Sequence, residues 1–170
     1  MIEEHDHEYR TGIGTDIHIV AEGRKLMLGG IYIPNADGLA GHSDGDVALH
    51  AVIDALLGAA AMGDIGSLFP DTDPKFKNAD SKELLLDVKQ LLEQERWQIV
   101  NVDLTIHAEV PKLGHLKAQM KRAVASLLGI DFNAVNVKAK TNEGVGEIGA
   151  GEAIAATAIA MIKRKYKRTL

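Results

Sequence analysis

The run His42-Ser43-Asp44-Gly45-Asp46-Val47-Ala48-Leu49-His50-Ala51-Val52-Ile53-Asp54 constrains this chain more than any other stretch. A polar turn containing a glycine feeds straight into an apolar helix. Two histidines and three aspartates share the segment, more ionisable groups than a core-packing helix needs. Ser43 or Asp44 is placed to cap the helix, because a side-chain oxygen there takes an orphan backbone N–H. Asp46, His50 and Asp54 then recur at i, i+4 and i+8 on one stripe. Val47, Ala51 and Leu57 fall on other faces and are free to pack. The pattern assigns a metal to His50 and an anionic substrate to the turn before it.

A second pattern lies upstream. From Tyr9 to His18 the chain alternates as a strand. Ile13, Thr15, Ile17 and Ile19 share one face; Gly12, Gly14, Asp16 and His18 share the other. Asp16 and His18 are thus about 7 Å apart along the strand, close enough to meet at one ion. With His50 they offer one carboxylate and two imidazoles, a set that suits zinc with a fourth position left open. Asp46 or Asp54 is expected to orient His50 from behind. The chain has no cysteine, which removes disulfides and thiolate zinc sites and fits a reducing, cytosolic setting. A plastid location would require a transit peptide beyond this sequence.

The remaining elements frame that site. Leu26 to Pro34 reads as a hairpin turning at Gly29-Gly30. The first helix runs from about Val47 to Ala61. Gly63 to Pro74 is a long polar loop of the kind that is usually functional. Asp80-Ser81-Lys82-Glu83 opens a second helix with an acid three residues after a capping candidate, and Leu84, Leu85, Val88, Leu91 and Leu92 form its core stripe. Ile99 to Ala108 is a strand with His107 on its polar face. Leu116 to Leu128 is a helix ended by Gly129, and Val135 to Thr141 is another strand. Asn142 to Gly151 is a glycine-rich loop suited to wrapping a phosphate. There Glu143 offers a hard oxygen for a second cation, Mg²⁺ or Mn²⁺. Lys112, Lys138 and Lys140 offset phosphate charge. The last segment, Glu152 to Met161, fits a helix by its alanines and a strand by its isoleucines.

With 170 residues and no repeat, one domain is expected. Residues 1–9 read as a disordered acidic leader, which includes His5 and His7, residues 10–163 as the domain, and residues 164–170 as a basic tail. Aromatic residues are only 4%, and seventeen glycines are expected to serve turns. A net charge of −5 argues against a nucleic-acid binder, and no run is apolar enough to span a membrane. No activated nucleophile is visible. The residues read as a metal-assisted enzyme acting on a small phosphorylated molecule.

The runs Gly41 to His50, Gly63-Asp64-Ile65-Gly66, Phe69-Pro70-Asp71-Thr72-Asp73-Pro74, Asp16-Ile17-His18, Pro111-Lys112 and Val135 to Ala139 resemble the 2-C-methyl-D-erythritol 2,4-cyclodiphosphate synthase family of the non-mevalonate isoprenoid pathway. The resemblance implies an α/β (α+β) subunit with a mixed sheet and helices on one face. It implies a homotrimer with active sites between subunits, and a strand for the final segment. It implies a CDP-linked substrate, loss of CMP by intramolecular phosphoryl transfer, and an isoprenoid diphosphate as a further ligand of the trimer's central cavity. Asp16, His18 and His50 would hold zinc, and Asp16, Ile17 and His18 would also touch substrate. His42 and Ser43 would place the attacking phosphate, with His42 and Thr141 stabilising the transition state. Asp64, Ile65 and Gly66 would meet the ribose and methylerythritol, and Phe69, Pro70, Asp71, Thr72 and Asp73 would line the same pocket. Ala108, Lys112, Leu113 and Gly114 would bind the neighbour's cytosine. Lys140, Thr141, Asn142 and Glu143 would form the diphosphate and second-cation segment. Glu147 and Ala150 depart from the family pattern, which usually has an aromatic residue and an arginine there. A non-catalytic trimer binding a metal and a diphosphate is the alternative they favour. An unrelated zinc phosphohydrolase is the third reading.

Overall fold

The computed structural model describes residues 7–165. The chain enters on β1 (His7–Leu28) and turns at Gly29 and Gly30, whose φ angles of +61° and +78° suit glycine. It returns antiparallel on β2 (Ile31–Leu39). β1 is far longer than the alternation from Tyr9 to His18 implied. Its pairing with β2 shifts register between Ala21 and Leu26, beside Gly23 at φ +78°, and that irregularity hid the continuation. Residues 7–9 therefore belong to the sheet rather than to a leader. The rest of the leader, with His5, lies outside the described residues.

Helix α1 (Val47–Ala60) crosses directly over β1. Gly12 and Gly14 explain how it gets so close: a Cβ there would lie 2.1 Å from the carbonyl oxygens of Ala55 and Ala51. These glycines serve backbone contact, not turns. Ala156, Ala158 and Ala160 supply the same small floor on β5 (Ala153–Lys165). The alanines of the last segment are there for helix-on-sheet clearance, so the segment is a strand despite their helix propensity. β5 runs through Lys165, so residues 164 and 165 leave the expected tail. Val47, Ala51 and Leu57 are fully buried, and so is nearly all of α1. Its true cap is Asp46, whose side chain accepts from the Leu49 N–H, rather than Ser43 or Asp44.

After α1, the expected long loop holds a short helix α2 (Ile65–Leu68) and a 3-10 turn at Pro74–Phe76. Asp80 caps α3 (Ser81–Gln94), with Glu83 in the first turn. Leu84, Leu85, Val88 and Leu92 are buried and Leu91 is half-buried. β3 (Gln98–His107), α4 (Lys117–Leu128) and β4 (Val135–Lys140) form a parallel crossover. Gly129, at φ +67°, ends α4. The glycine-rich loop holds one short helix, α5 (Gly146–Gly149). The sheet order is β2-β1-β5-β3-β4, with β3 and β4 parallel and every other pair antiparallel. The architecture is a single α+β domain with a mixed sheet. α1 and α4 pack on one face, and α3 packs against both of these helices. The other face is bare and apolar: Tyr9, Ile13, Ile17, Ile19 and Ile159 are 47–66% exposed.

Candidate metal centre and pocket

Packing α1 on β1 brings Asp16, His18 and His50 together. The Asp16 Oδ2 lies 2.7 Å from His18 Nε2 and 2.9 Å from His50 Nδ1, and the two nitrogens are 3.4 Å apart. The far side of each ring fixes which nitrogen is bare. His18 Nδ1 meets the Ala40 carbonyl, which only accepts, so Nδ1 carries the hydrogen and Nε2 faces the cluster. Ser81 Oγ donates to the Asp44 carboxylate and therefore accepts from His50 Nε2–H at 2.9 Å, which leaves His50 Nδ1 bare. Ser43 Oγ lies 3.1 Å from the same Nε2. Two bare imidazole nitrogens thus converge on one carboxylate.

That convergence has the charge pattern of a cation site. Burial pushes the Asp16 carboxyl up, but the two imidazoles beside it, which donate to it when they take up a proton in the absence of an ion, outweigh burial and hold it far below the usual carboxylate range. The Asp16 contact raises His18 against the opposing effect of burial. A tetrahedral ion with bonds of about 2.0–2.2 Å spreads its donors to about 3.3 Å. The imidazole pair already has that spacing, and the carboxylate needs to open by roughly half an ångström. The donor set fits a divalent cation. It is the one such cluster among the described residues.

The supports differ from expectation. Asp46 does not orient His50: it is buried and accepts from the N–H groups of Gly29 at 2.8 Å, Gly30 at 2.7 Å and Leu49 at 3.0 Å. It pins the helix start to the hairpin turn. Burial pushes its carboxyl up, and the three N–H groups pull it back part-way. Asp54 accepts from the Ile65 N–H at 2.7 Å and anchors α2 instead. Ser81, Asp44 and the Ala40 carbonyl orient the rings. Ser81 read as part of a helix start, and a backbone carbonyl leaves no sequence signal at all. Arg24, also unforeseen, braces the His42 loop by donating to the carbonyls of Gly41 and Ser43 at 3.2 and 2.8 Å.

A cleft of about 420 Å³ opens beside the cluster. Asp16, His18, His42, Ser43, His50, Ile65, Gly66, Phe69 and Asp71 all line it, so Ile65, Gly66, Phe69 and Asp71 of the expected methylerythritol pocket meet the metal cluster and the histidine loop there. His42 is exposed at its mouth. Phe69 packs edge-on against Phe76 with ring centres 5.3 Å apart. Asp64 and Asp73 instead cap α2 and the 3-10 turn, and Pro70 and Thr72 are not among the lining residues. Ile17 points its side chain to the bare face; its N–H donates to Asp16 Oδ1 at 2.9 Å.

The other half of the expected site lies elsewhere on the chain. Ala108, Lys112, Leu113 and Gly114 sit in the loop after β3, beside Lys140 at the end of β4 and Thr141, Asn142 and Glu143 just beyond it. The Ala108 N–H donates to the Lys140 carbonyl at 2.9 Å, and Thr141 Oγ1 donates to Glu143 Oε1 at 2.6 Å. None of these residues lines the metal cleft. His107, on the polar face of β3, lies 3.3 Å from Asn142 Oδ1. Lys138 is committed to Asp103 at 2.7 Å. Glu147 and Ala150 are exposed on α5 and its cap, also away from the cleft.

A mixed sheet backed on one face by helices, with a carboxylate and two histidines converging beside a cleft, defines a metal-binding α+β domain. The YgbB family model matches residues 9–163, and the chain belongs to that family. It is 54% identical to the 2-C-methyl-D-erythritol 2,4-cyclodiphosphate synthase of Chlorobium phaeobacteroides, over 92% of this chain and 99% of that one. It is 51% identical to the synthase of the same name from Bordetella avium, over 92% and 97%. Among solved structures it is similar to a CDP complex of IspF from Plasmodium falciparum, with 34% identity and a TM-score of 0.80, covering 93% of this chain and 97% of that one. Among the described residues, no helix is long and apolar enough to cross a membrane.

Proposed function

We propose that this chain converts 4-diphosphocytidyl-2-C-methyl-D-erythritol 2-phosphate to 2-C-methyl-D-erythritol 2,4-cyclodiphosphate and CMP, as a phosphorus-oxygen lyase of isoprenoid biosynthesis. The observation that carries the reading is the convergence of Asp16, His18 and His50, with both ring tautomers fixed from behind, on a cleft lined by His42, Ser43, Gly66, Phe69 and Asp71. The likeness to synthases at 51–54% identity supports the same conclusion. Asp16, His18 and His50 would hold zinc, and Glu143 a second cation, Mg²⁺ or Mn²⁺. When bound, these ions neutralise phosphate charge.

The chain's own residues do the positioning. His42 stands at the cleft mouth, placed by the Arg24-braced loop, to orient the 2-phosphate. An oxygen of that phosphate bonds to the β-phosphorus, the bond from the β-phosphorus to the bridging oxygen breaks, and CMP leaves with that oxygen. No protein nucleophile takes part. Holding the two phosphates in line supplies most of the acceleration such a step needs. Thr141 and Lys140 face the diphosphate, and the loop from Ala108 to Gly114 takes the cytosine.

These two groups lie on separate parts of one chain, so the complete site needs a second copy. We read the assembly as a homotrimer closed through the bare isoleucine face, with an isoprenoid diphosphate as a candidate occupant of its central cavity. The net charge of −5 argues against a nucleic-acid partner, and a cytoplasmic setting suits the lack of cysteine. Zinc- and Mg²⁺-replete protein given the CDP-linked substrate should release one CMP per cyclic diphosphate formed. Inorganic phosphate as the product, or a folded trimer that releases no CMP, would sink the assignment.

A further inference from the structure

Glu109 stands just past the end of β3, between the two loops that the proposed reaction uses. Its Oε2 accepts the Asn142 N–H at 3.1 Å, and the Gly144 N–H bonds to the same carboxylate. Its Oε1 lies 3.4 Å from Lys112 Nζ. The side chain is 24% exposed. Burial pushes its carboxyl up, but the two amides and Lys112 outweigh burial and keep it ionised. Between the two tethered amides sits Glu143, at φ +52°. A non-glycine residue stays in the left-handed region only where its surroundings hold it there. The Thr141 hydroxyl fixes the Glu143 carboxylate from the other side.

We propose that Glu109 is a positioning residue that clamps the backbone on both sides of Glu143, aims the Glu143 carboxylate at a divalent cation, and ties that segment to the Lys112 loop. The proposal rests on the reading of Glu143 as the ligand of the second cation. An unclamped loop would let Glu143 relax to negative φ and swing its carboxylate away. Lys112 would lose the anion that holds its ammonium near the same segment.

The test uses the full, zinc-replete protein with Mn²⁺ as the probe. Mn²⁺ binding is titrated by electron paramagnetic resonance, and backbone exchange is followed at Asn142 and Gly144. Glu109→Ala should weaken Mn²⁺ binding by about tenfold, the lower end of what losing a residue behind a metal ligand costs. It should also speed exchange of both amides and leave the zinc content unchanged. Glu109→Gln, which keeps an acceptor oxygen, should recover most of the affinity. It also carries the test if the alanine variant fails to fold. Unchanged Mn²⁺ affinity in a Glu109→Ala protein with faster amide exchange would overturn the positioning role. Wild type and Glu143→Ala binding Mn²⁺ equally would instead show that the Glu143 reading is wrong, and the proposal would fall with it.

Discussion

A metal site needs lone pairs aimed inward, and two hydrogen bonds outside the cluster decide that here. The Ala40 carbonyl claims the His18 Nδ1 hydrogen, and the Asp44–Ser81 pair claims the His50 Nε2 hydrogen. Removing the second support should cost affinity without costing the fold. Ser81→Ala should weaken zinc binding by about 10–100-fold. Competition titration against a chelator reads this; unchanged affinity would show that the relay does not set the tautomer. Asp46 is the contrasting residue, close in sequence but purely structural. Asp46→Ala strips two buried N–H groups and one half-buried N–H group of their acceptor and should lower stability by about 3 kcal/mol in urea unfolding. A loss under about 1 kcal/mol would mean that water replaces the carboxylate.

At the scale of elements, the site depends on how closely α1 sits on β1, because each contributes ligands. Gly14 touches no ligand directly, yet its missing Cβ is what permits the approach. Gly14→Ala should lower zinc affinity and stability together. A stable variant with normal zinc binding would contradict that dependence. The far end of the sheet is clipped by Glu8, which meets Arg164 Nε at 2.9 Å and Arg10 at 2.6 Å. The Arg164 hydrogen bond is the largest influence holding the Glu8 carboxyl below its usual range, with burial opposing and Arg10 helping. A depressed carboxyl adds stability above its unfolded pKa of about 4.3 and loses it as pH falls through the folded value. The melting-temperature gap between wild type and Glu8→Gln should therefore be open at pH 7 and close below about pH 4. A gap of equal size at pH 7 and pH 3 would remove the ion pair from the account.

Elements were largely legible because their signals are local. The Gly29-Gly30 turn, the Asp80 cap and the alternation of β3 each lie within a few residues. The metal triad was legible because strand and helix periods each place ligands on one face. What escaped reading needed two elements at once. Gly12 and Gly14 read only as part of one strand face until α1 lay on them. Asp46 and Asp54 share the stripe of His50, yet a hairpin turn and the α2 backbone claim them. The final alanines made sense only with a helix above them.

The whole molecule leaves an apolar sheet face bare and splits the expected site in two. Both features are met if copies of the chain pack through that face. Light scattering should give three times the chain mass, and Ile13→Glu with Ile17→Glu should give a monomer that still binds zinc but releases no CMP. A monomeric wild type that turns over would refute the shared site. The most direct test mixes two broken chains. His50→Ala removes a member of the metal cluster, and Glu143→Ala removes the proposed ligand of the second cation. Each alone should release almost no CMP. Coexpressed, they should form mixed trimers in which about a quarter of the sites draw an intact half from each of two neighbours, as random assembly of a closed ring dictates. Recovery of CMP release near that fraction is the expected result. No recovery from trimers shown to contain both chains would contradict a synthase site built between subunits.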